Sequence, residues 1–103
     1  MQATRIIAIR HGQTDWNVET RLQGHTDIAL NRRGQWQAQR TALALADEAI
    51  TAVYSSDLSR AYATAQAIAD SNAHLTTRQV RAHTGLRERG FGIFEGQTYA
   101  QIE

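Results

Sequence analysis

Arginine and histidine side chains stand at two points of the sequence where strands are predicted to end. Arg10 and His11 follow the apolar run Arg5–Ile9, and Arg60 comes shortly after a second apolar run and the residues 55–57. Because the carboxyl ends of parallel strands meet at one edge of an open sheet, we expect these side chains to face the same crevice. Paired guanidinium donors and the free N–H groups of a helix start both suit an anion. The arrangement therefore predicts a phosphate site.

The chemistry expected at this site follows from the residue types. A neutral imidazole is a competent nucleophile near pH 7, and the positive charges of Arg10 and Arg60 disfavour the imidazolium form of His11. The same guanidinium groups can hold the phosphoryl oxygens and stabilise their charge in the transition state. The leaving alkoxide needs a proton, and Glu88 is the candidate donor because a neighbouring phosphate dianion keeps a carboxyl protonated.

The elements that must position these residues are predicted from apolar runs and capping residues. The expected order is strand, helix, strand, helix and extended segment, at Arg5–Ile9, Asn31–Ala46, Ile50–Tyr54, Leu58–Ala69 and Leu75–Val80. We expect the first strand to be buried on both faces. This alternation predicts an α/β fold with a mostly parallel sheet.

Capping residues mark the starts of the helices. Asn31 is the predicted N-cap of the first helix, and Ser55, Ser56 and Asp57 supply oxygens for the second. Along the first helix, Trp36, Leu43 and Ala44 fall near one stripe, which predicts that this stripe packs against the sheet. Near the end of the sequence, Thr98 and Gln101 have the spacing of a capping box, so a helix is expected to begin there.

Bulk composition narrows the class of protein. The 103 residues are 42% hydrophobic and 20% charged, as in a small globular domain. With no cysteine, no long apolar run and no signal-like N-terminus, the cytoplasm is the default location and no membrane association is expected. The net charge of +1 gives no general attraction to nucleic acid. The oligomeric state stays open, with a homo-oligomer as one option.

Four segments together resemble the histidine phosphatase superfamily, whose members include phosphoglycerate mutases. They run in family order along almost the whole chain, at Ile9–Asn17, Leu22–Gly34, Ser55–Ala65 and Leu86–Gly96. The first carries Arg-His-Gly, the third Ser-Ser-Asp-Leu-Ser-Arg-Ala, and the fourth Leu-Arg-Glu followed by Glu-Gly. The resemblance implies a phosphoglycerate mutase-like three-layer α/β sandwich.

The resemblance also implies a role for each matching residue. His11 is the residue that becomes phosphorylated, and Arg10 and Arg60 clamp the phosphate. Glu88 is the proton donor. The implied substrate contacts are Asn17, Gln23 and Gly24, together with the two arginines. The family needs no metal ion, and we expect no cofactor for the hydrolase. The expected partner is a phosphorylated small molecule.

One family feature is missing from these residues. Members carry a second active-site histidine in a His-Gly motif well downstream, and none of His25, His74 and His83 is followed by glycine. The helix predicted from Thr98 also has barely one turn before Glu103. We therefore expect residues 1–103 to be the N-terminal portion of a single, truncated catalytic domain, which by itself could be inactive.

Three functions fit these observations. The first is a phosphomonoester hydrolase that passes through phosphohistidine and lets water take the phosphoryl group. The second is a phosphoglycerate mutase-type isomerase, in which a substrate hydroxyl takes it and a phosphorylated cofactor primes the enzyme. The compact stretch Phe91–Gly96 resembles the phosphatase-type and cobalamin-pathway members more than the glycolytic mutases, and this resemblance favours the hydrolase. The third is a non-catalytic phosphate-binding protein, motivated by the missing histidine.

Overall fold

A computed structural model describes residues 4–102. The helices and strands follow one another along the chain in the order α1 (Asp15–Val18), α2 (Arg32–Ala44), β1 (Tyr54–Ser55), α3 (Ser59–Ser71), β2 (Arg81–Ala82) and α4 (Tyr99–Ile102). Two 3₁₀ turns, Thr84–Leu86 and Gly92–Phe94, lie between β2 and α4. The C-terminal residue, Glu103, lies outside the described residues.

The strands β1 and β2 are parallel, with Tyr54 beside Arg81 and Ser55 beside Ala82. Helix α3 joins them, so the unit is a parallel β-α-β crossover and the predicted α/β class is confirmed. Both strands begin later than predicted. The apolar residues before them contribute to the core: Leu75 and Val80 are buried with Ala65 and Ala69 of α3, and Ile50 and Val53 pack against this cluster.

Helix α2 begins as predicted, because the Asn31 side chain accepts a hydrogen bond from the Gly34 N–H at 2.8 Å. The helix packs against α3, and its buried residues are all small: Gly34, Ala38 and Ala42. A side chain at position 34 would come within 2.0 Å of the Gln13 carbonyl oxygen. Glycine there lets the helix approach the segment that carries the predicted nucleophile.

The predicted packing stripe of α2 is wrong. Trp36 is 56% exposed and Leu43 64% exposed, and Ala44 is exposed as well. The small residues of the opposite face are buried because they permit close approach of the two helices. Trp36 lies instead between the guanidinium groups of Arg33 and Arg40, whose carbons are 5.8 and 6.0 Å from the ring centre.

The predicted first strand is also wrong for the described residues. Residues 5–9 form no ladder, and Ile6 is 84% exposed while Ile7 and Ile9 are 40% and 43% exposed. A strand exists only through hydrogen bonds to a neighbour, and no backbone group in the range 4–102 pairs with this segment. The apolar run therefore stands beside no partner strand.

Helix α3 begins at Ser59, one residue later than predicted, and its N-terminal N–H groups find two side-chain acceptors. Ser56 accepts from the Leu58 N–H at 3.0 Å, as expected for this segment. The second acceptor is Asp27, whose two carboxylate oxygens bind the Ser59 N–H at 2.7 Å and the Ser59 hydroxyl at 3.0 Å. Asp57, predicted as a cap, binds Arg87 instead.

Two short helices complete the described elements. Thr98 and Gln101 form the predicted capping box, with hydrogen bonds of 2.8 and 3.2 Å between each side chain and the other residue's N–H. Helix α1, which was not predicted from the sequence, begins with a similar reciprocal cap between Thr14 and Asn17. No helix of residues 4–102 is long and apolar enough to cross a bilayer.

Candidate active site

Helix α3 holds the segment that carries His11. The Thr64 hydroxyl accepts a hydrogen bond from the Gly12 N–H at 3.1 Å and donates one to the Arg60 carbonyl at 2.8 Å. On its other side, the Gly12 α-carbon is so close to α2 that a side chain there would lie 2.3 Å from the Gly34 carbonyl oxygen. The segment is thus fixed between two helices, one of which carries Arg60.

The imidazole of His11 is oriented by its own neighbour. Its Nδ1 atom lies 2.6 Å from the Gly12 carbonyl oxygen. Because a carbonyl can only accept a hydrogen bond, Nδ1 carries the hydrogen, and in the neutral ring Nε2 then keeps its lone pair. Nε2 is therefore the nitrogen that can act as a nucleophile.

The pKa of His11 is lowered from its ordinary value of 6.5, chiefly because partial burial disfavours the charged ring. The positive charges of Arg60 and Arg10 lower it further. The hydrogen bond to the Gly12 carbonyl and the negative charge of Glu88 act in the opposite direction without reversing the shift. The predicted direction holds, although burial, which the residue types do not reveal, is its largest cause.

Arg60 is 2% exposed and is held by three hydrogen bonds. Its Nη1 donates to the Thr26 carbonyl at 2.7 Å, and its Nη2 donates to the Gly24 carbonyl at 2.7 Å and to Glu88 Oε2 at 3.2 Å. A guanidinium has more N–H donors than these bonds use, so Arg60 can still bind an anion. The Thr64 hydroxyl, which binds both the Arg60 carbonyl and the Gly12 N–H, links Arg60 to the segment that carries His11.

Glu88 is exposed to solvent although it contacts the buried Arg60, and 45% of its side chain is accessible. The residue before it, Arg87, forms a two-pronged pair with Asp57, with N–O distances of 2.7 and 2.6 Å. This pair lowers the pKa of the Asp57 carboxyl, mainly through the Arg87 hydrogen bonds. An exposed pair of this kind adds little stability, but it fixes the backbone from which Glu88 projects.

An open pocket of about 270 Å³ adjoins the imidazole. Its lining residues come from three segments and are Arg10, His11, Gln13, Asn17 and Gln37. Arg10 is exposed, so its guanidinium can reach a bound anion. Of the predicted catalytic residues, His11 and Arg10 line this pocket, and Arg60 and Glu88 form an ion pair with each other at 3.2 Å. The charges of Arg10, Arg60 and Glu88 all contribute to the pKa of His11.

The three other predicted substrate contacts have different surroundings. Asn17 lines the pocket. Gln23 is 5% exposed, and its Oε1 accepts a hydrogen bond from the Thr14 hydroxyl at 2.7 Å. Gly24 has a φ of +54°, which favours glycine, and its carbonyl holds Arg60. Gln23 and Gly24 therefore shape the loop around the site, and a direct contact with substrate stays a prediction for both.

Glu95 is a site residue to which the sequence assigned no function. Its carboxylate accepts hydrogen bonds from the N–H groups of His25, Thr26 and Phe91 at 3.2, 2.9 and 3.0 Å, and from the Thr26 hydroxyl. These bonds lower the pKa of Glu95 to about 2, the Thr26 hydroxyl contributing most. Glu95 thus fixes the loop whose carbonyls hold Arg60.

Gln37 and Asp27 are further residues that sequence reasoning missed. Gln37 lies on α2 and lines the pocket. Its spacing of three from Gly34 is the only feature of the sequence that places the two residues on the same face of the helix. Asp27 was not predicted as the cap of α3, because that role depends on a contact across 32 residues. A separate groove of about 400 Å³, lined by Tyr54, His83, Gly85 and Leu86, lies apart from these groups.

Comparison with known proteins gives matches over nearly the whole chain. A glucosyl-3-phosphoglycerate phosphatase from Mycobacterium tuberculosis is 42% identical over 103 residues, covering 100% of this chain and 44% of that protein. The phosphoglycerate mutase-like protein 4 of Arabidopsis thaliana is 46% identical over 97 residues, covering 93% of this chain and 41% of its own length. The chain therefore spans less than half the length of these relatives.

A solved structure shares the fold. A phosphoserine phosphatase from Entamoeba histolytica in complex with 3-phosphoglyceric acid superposes with a TM-score of 0.78 at 37% identity, covering 89% of this chain and 43% of that one. The family model of the histidine phosphatase superfamily, branch 1, matches residues 6–103. The resemblance seen in the four motifs is thereby confirmed, and the chain belongs to branch 1 of the histidine phosphatase superfamily.

Proposed function

We propose that the protein is a phosphomonoester hydrolase that acts on a small phosphorylated metabolite through a phosphohistidine at His11. One observation carries the proposal: Nδ1 of His11 is bound to the Gly12 carbonyl, which leaves Nε2 as a nucleophile beside the charges of Arg10 and Arg60. The names of relatives support the hydrolase class, since they include glucosyl-3-phosphoglycerate and phosphoserine phosphatases.

In the first half-reaction, His11 Nε2 attacks phosphorus while the ester P–O bond breaks. Arg10 and Arg60 hold the phosphoryl oxygens and offset their charge as the transition state forms. Glu88 gives its proton to the leaving alkoxide, which departs as an alcohol. Glu88 fits this role because it touches Arg60 at 3.2 Å and yet remains open to solvent.

In the second half-reaction, water attacks the phosphoryl group and the P–N bond breaks. Glu88, now ionised, takes a proton from the water, so that inorganic phosphate leaves and the neutral imidazole is restored. Asn17 contacts substrate from the pocket, and Gln23 and Gly24 act at the rim of the site. In this proposal, residues 1–103 form the N-terminal portion of one catalytic domain.

The proposed partner is a phosphorylated small molecule in the cytoplasm, and nucleic acid is not expected to bind. A mutase is the second candidate, because relatives also include probable phosphoglycerate mutases, such as one from Serratia proteamaculans that is 36% identical over 91 residues. Incubating the natural full-length protein with 3-phosphoglycerate and a bisphosphoglycerate separates the two. Net phosphate release supports the hydrolase, whereas isomerisation without release contradicts it.

A phosphate-release assay on wild type and His11→Ala tests the proposal itself. We expect His11→Ala to remove the activity, because His11 supplies the one imidazole that lines the pocket among the described residues. His74→Ala is the matched control, since His74 is an exposed histidine away from the site, and it should keep the wild-type rate. Equal rates of phosphate release for wild type and His11→Ala would contradict the proposal.

A further inference from the structure

Three carboxamide side chains line the pocket beside His11: those of Gln13, Asn17 and Gln37. A carboxamide offers either an acceptor oxygen or a donor NH₂ group to a ligand, depending on how it is turned. The chemistry that this pocket selects therefore depends on what fixes the orientation of each amide.

Backbone N–H groups fix two of the three amides directly. Gln37 Oε1 accepts from the Gln13 N–H at 2.9 Å, and Asn17 Oδ1 accepts from the Thr14 N–H at 2.9 Å. Because a backbone N–H can only donate, each of these amides must present its oxygen to the protein. The NH₂ group of each is the part left for a ligand.

The third amide is fixed through a relay. The Gly34 N–H donates to Asn31 Oδ1 at 2.8 Å, so the NH₂ group of Asn31 is turned the other way. That NH₂ group donates to Gln13 Oε1 at 3.1 Å. Gln13 must therefore also direct its oxygen to the protein. Among the hydrogen bonds formed within residues 4–102, none uses the NH₂ groups of Gln13, Asn17 or Gln37.

We propose that Gln13 and Gln37 are specificity-determining residues whose locked NH₂ groups select a leaving group that carries a carboxylate. With Arg10, which can only donate, the described side chains that line this pocket offer donors to the substrate, and their one free acceptor is Nε2 of His11. A carboxylate accepts hydrogen bonds with both oxygens, whereas a hydroxyl in the same place leaves its own hydrogen facing donors. This inference rests on the proposed function and names its substrate class.

The pocket has room for such a group. Its volume of about 270 Å³ equals that of roughly nine water molecules in the liquid. A phosphoryl group on Nε2 occupies only part of that space, and the remainder can hold the first few atoms of the leaving group. The acceptor-rich end of a short substrate then lies among the amides and Arg10.

A pair of substrates tests the proposal in the natural full-length protein. 3-Phosphoglycerate and glycerol 3-phosphate differ in that one has a carboxylate where the other has a hydroxymethyl group. We expect kcat/KM to be about tenfold to a hundredfold higher for 3-phosphoglycerate, because hydrogen bonds to a charged group are the stronger ones. A wild-type enzyme that favours glycerol 3-phosphate, or does not discriminate, overturns the inference.

Gln37→Glu is the sharpest variant, because a glutamate keeps the oxygen that accepts from the Gln13 N–H and replaces only the NH₂ donor with a second oxygen. We expect the ratio of kcat/KM values for the two substrates to fall by about tenfold or more. Gln39→Glu, on an exposed position of the same helix, adds the same charge and should leave the ratio unchanged. An unchanged ratio in a folded Gln37→Glu contradicts the proposal, and so does an equal loss for both substrates.

Gln13→Glu carries the same expectation and decides the matter if Gln37→Glu does not fold. Calorimetric binding of both ligands to His11→Ala separates this inference from the proposed function. If the wild-type protein releases no phosphate, and His11→Ala binds 3-phosphoglycerate about tenfold more tightly than glycerol 3-phosphate, the hydrolase is refuted and the selective pocket is retained. Equal affinities for the two ligands refute the pocket, whatever the activity.

Discussion

Replacing Glu95 with glutamine tests whether the loop behind Arg60 is held by a single carboxylate. One oxygen of Glu95 accepts from the Thr26 N–H and hydroxyl, and the other accepts from the N–H groups of His25 and Phe91. Glutamine keeps only one oxygen. Its NH₂ group therefore replaces one of the two oxygens and faces the two donors that this oxygen bound. The negative charge that strengthens the remaining hydrogen bonds is lost as well.

The expected loss of stability can be worked from the pKa of Glu95, which falls from 4.5 to about 2. A difference of this size is worth at most about 3.5 kcal/mol, at about 1.4 kcal/mol for each tenfold change in the proton affinity. Water screens this carboxylate, so we expect Glu95→Gln to lower the free energy of unfolding by ~1–2 kcal/mol at pH 7.

The pH dependence distinguishes this cause from a general loss of packing. Because the folded-state pKa of Glu95 is below the ordinary value, its stabilisation is fully present above pH 4.5 and is lost as the pH falls towards 2. In urea unfolding of the natural full-length protein, the gap between wild type and Glu95→Gln should therefore close as the pH falls from 4.5 towards 2.

Glu19→Gln is the matched control for this experiment. Glu19 binds only the nearby Arg21, at 2.8 Å on the surface, and its replacement should cost less than about 0.5 kcal/mol. If Glu95→Gln is as stable as wild type at pH 7, or if the gap persists unchanged at pH 2.5, the carboxylate does not hold the loop.

Two further predictions concern the centre of the site. Arg60→Lys keeps the positive charge but loses the planar guanidinium that binds the Gly24 and Thr26 carbonyls. We therefore expect kcat to fall by about a hundredfold or more and the free energy of unfolding to fall by ~2–4 kcal/mol. Near-normal values in activity and urea-unfolding assays contradict this. In an NMR titration of the folded protein, the pKa of the His11 ring should lie below 6.5. The unfolded chain then binds the proton more readily than the folded chain, so the contribution of His11 lowers the stability of the fold as the pH falls below 6.5. A pKa at or above 6.5 contradicts burial as the dominant cause.

Local chemistry made parts of this fold and site predictable. The Asn31 cap depends on residues three apart, and the Thr98 capping box likewise. The approach of α3 to the His11 segment was expected from a parallel strand at residues 5–9, which is absent from the described part of the chain. The hydrogen bond from the Gly12 N–H to Thr64 joins the two segments instead. The two caps need only local spacing, so the sequence alone could predict them.

Long-range contacts account for what the sequence did not predict. Apolar residues at 5–9 read as a buried strand, yet a ladder needs a neighbour, and none pairs with them in the described part of the chain. Trp36 and Leu43 were predicted to pack against the sheet, but small residues form the buried face of α2 because they let this helix approach α3 closely. The clamp by Glu95 joins residues about 70 apart, and no local pattern encodes it.

The position of the phosphoryl group on the imidazole tests the central claim most directly. Because Nδ1 of His11 is bound to the Gly12 carbonyl, the phosphoenzyme should carry its phosphoryl group on Nε2 of His11. Phosphorus–nitrogen NMR of the ¹⁵N-histidine-labelled protein, trapped with substrate and unfolded at alkaline pH, distinguishes the two ring nitrogens. A phosphoryl group on Nε2 that is absent from His11→Ala is the predicted result. Phosphate on Nδ1, or on a residue other than His11, would contradict the account.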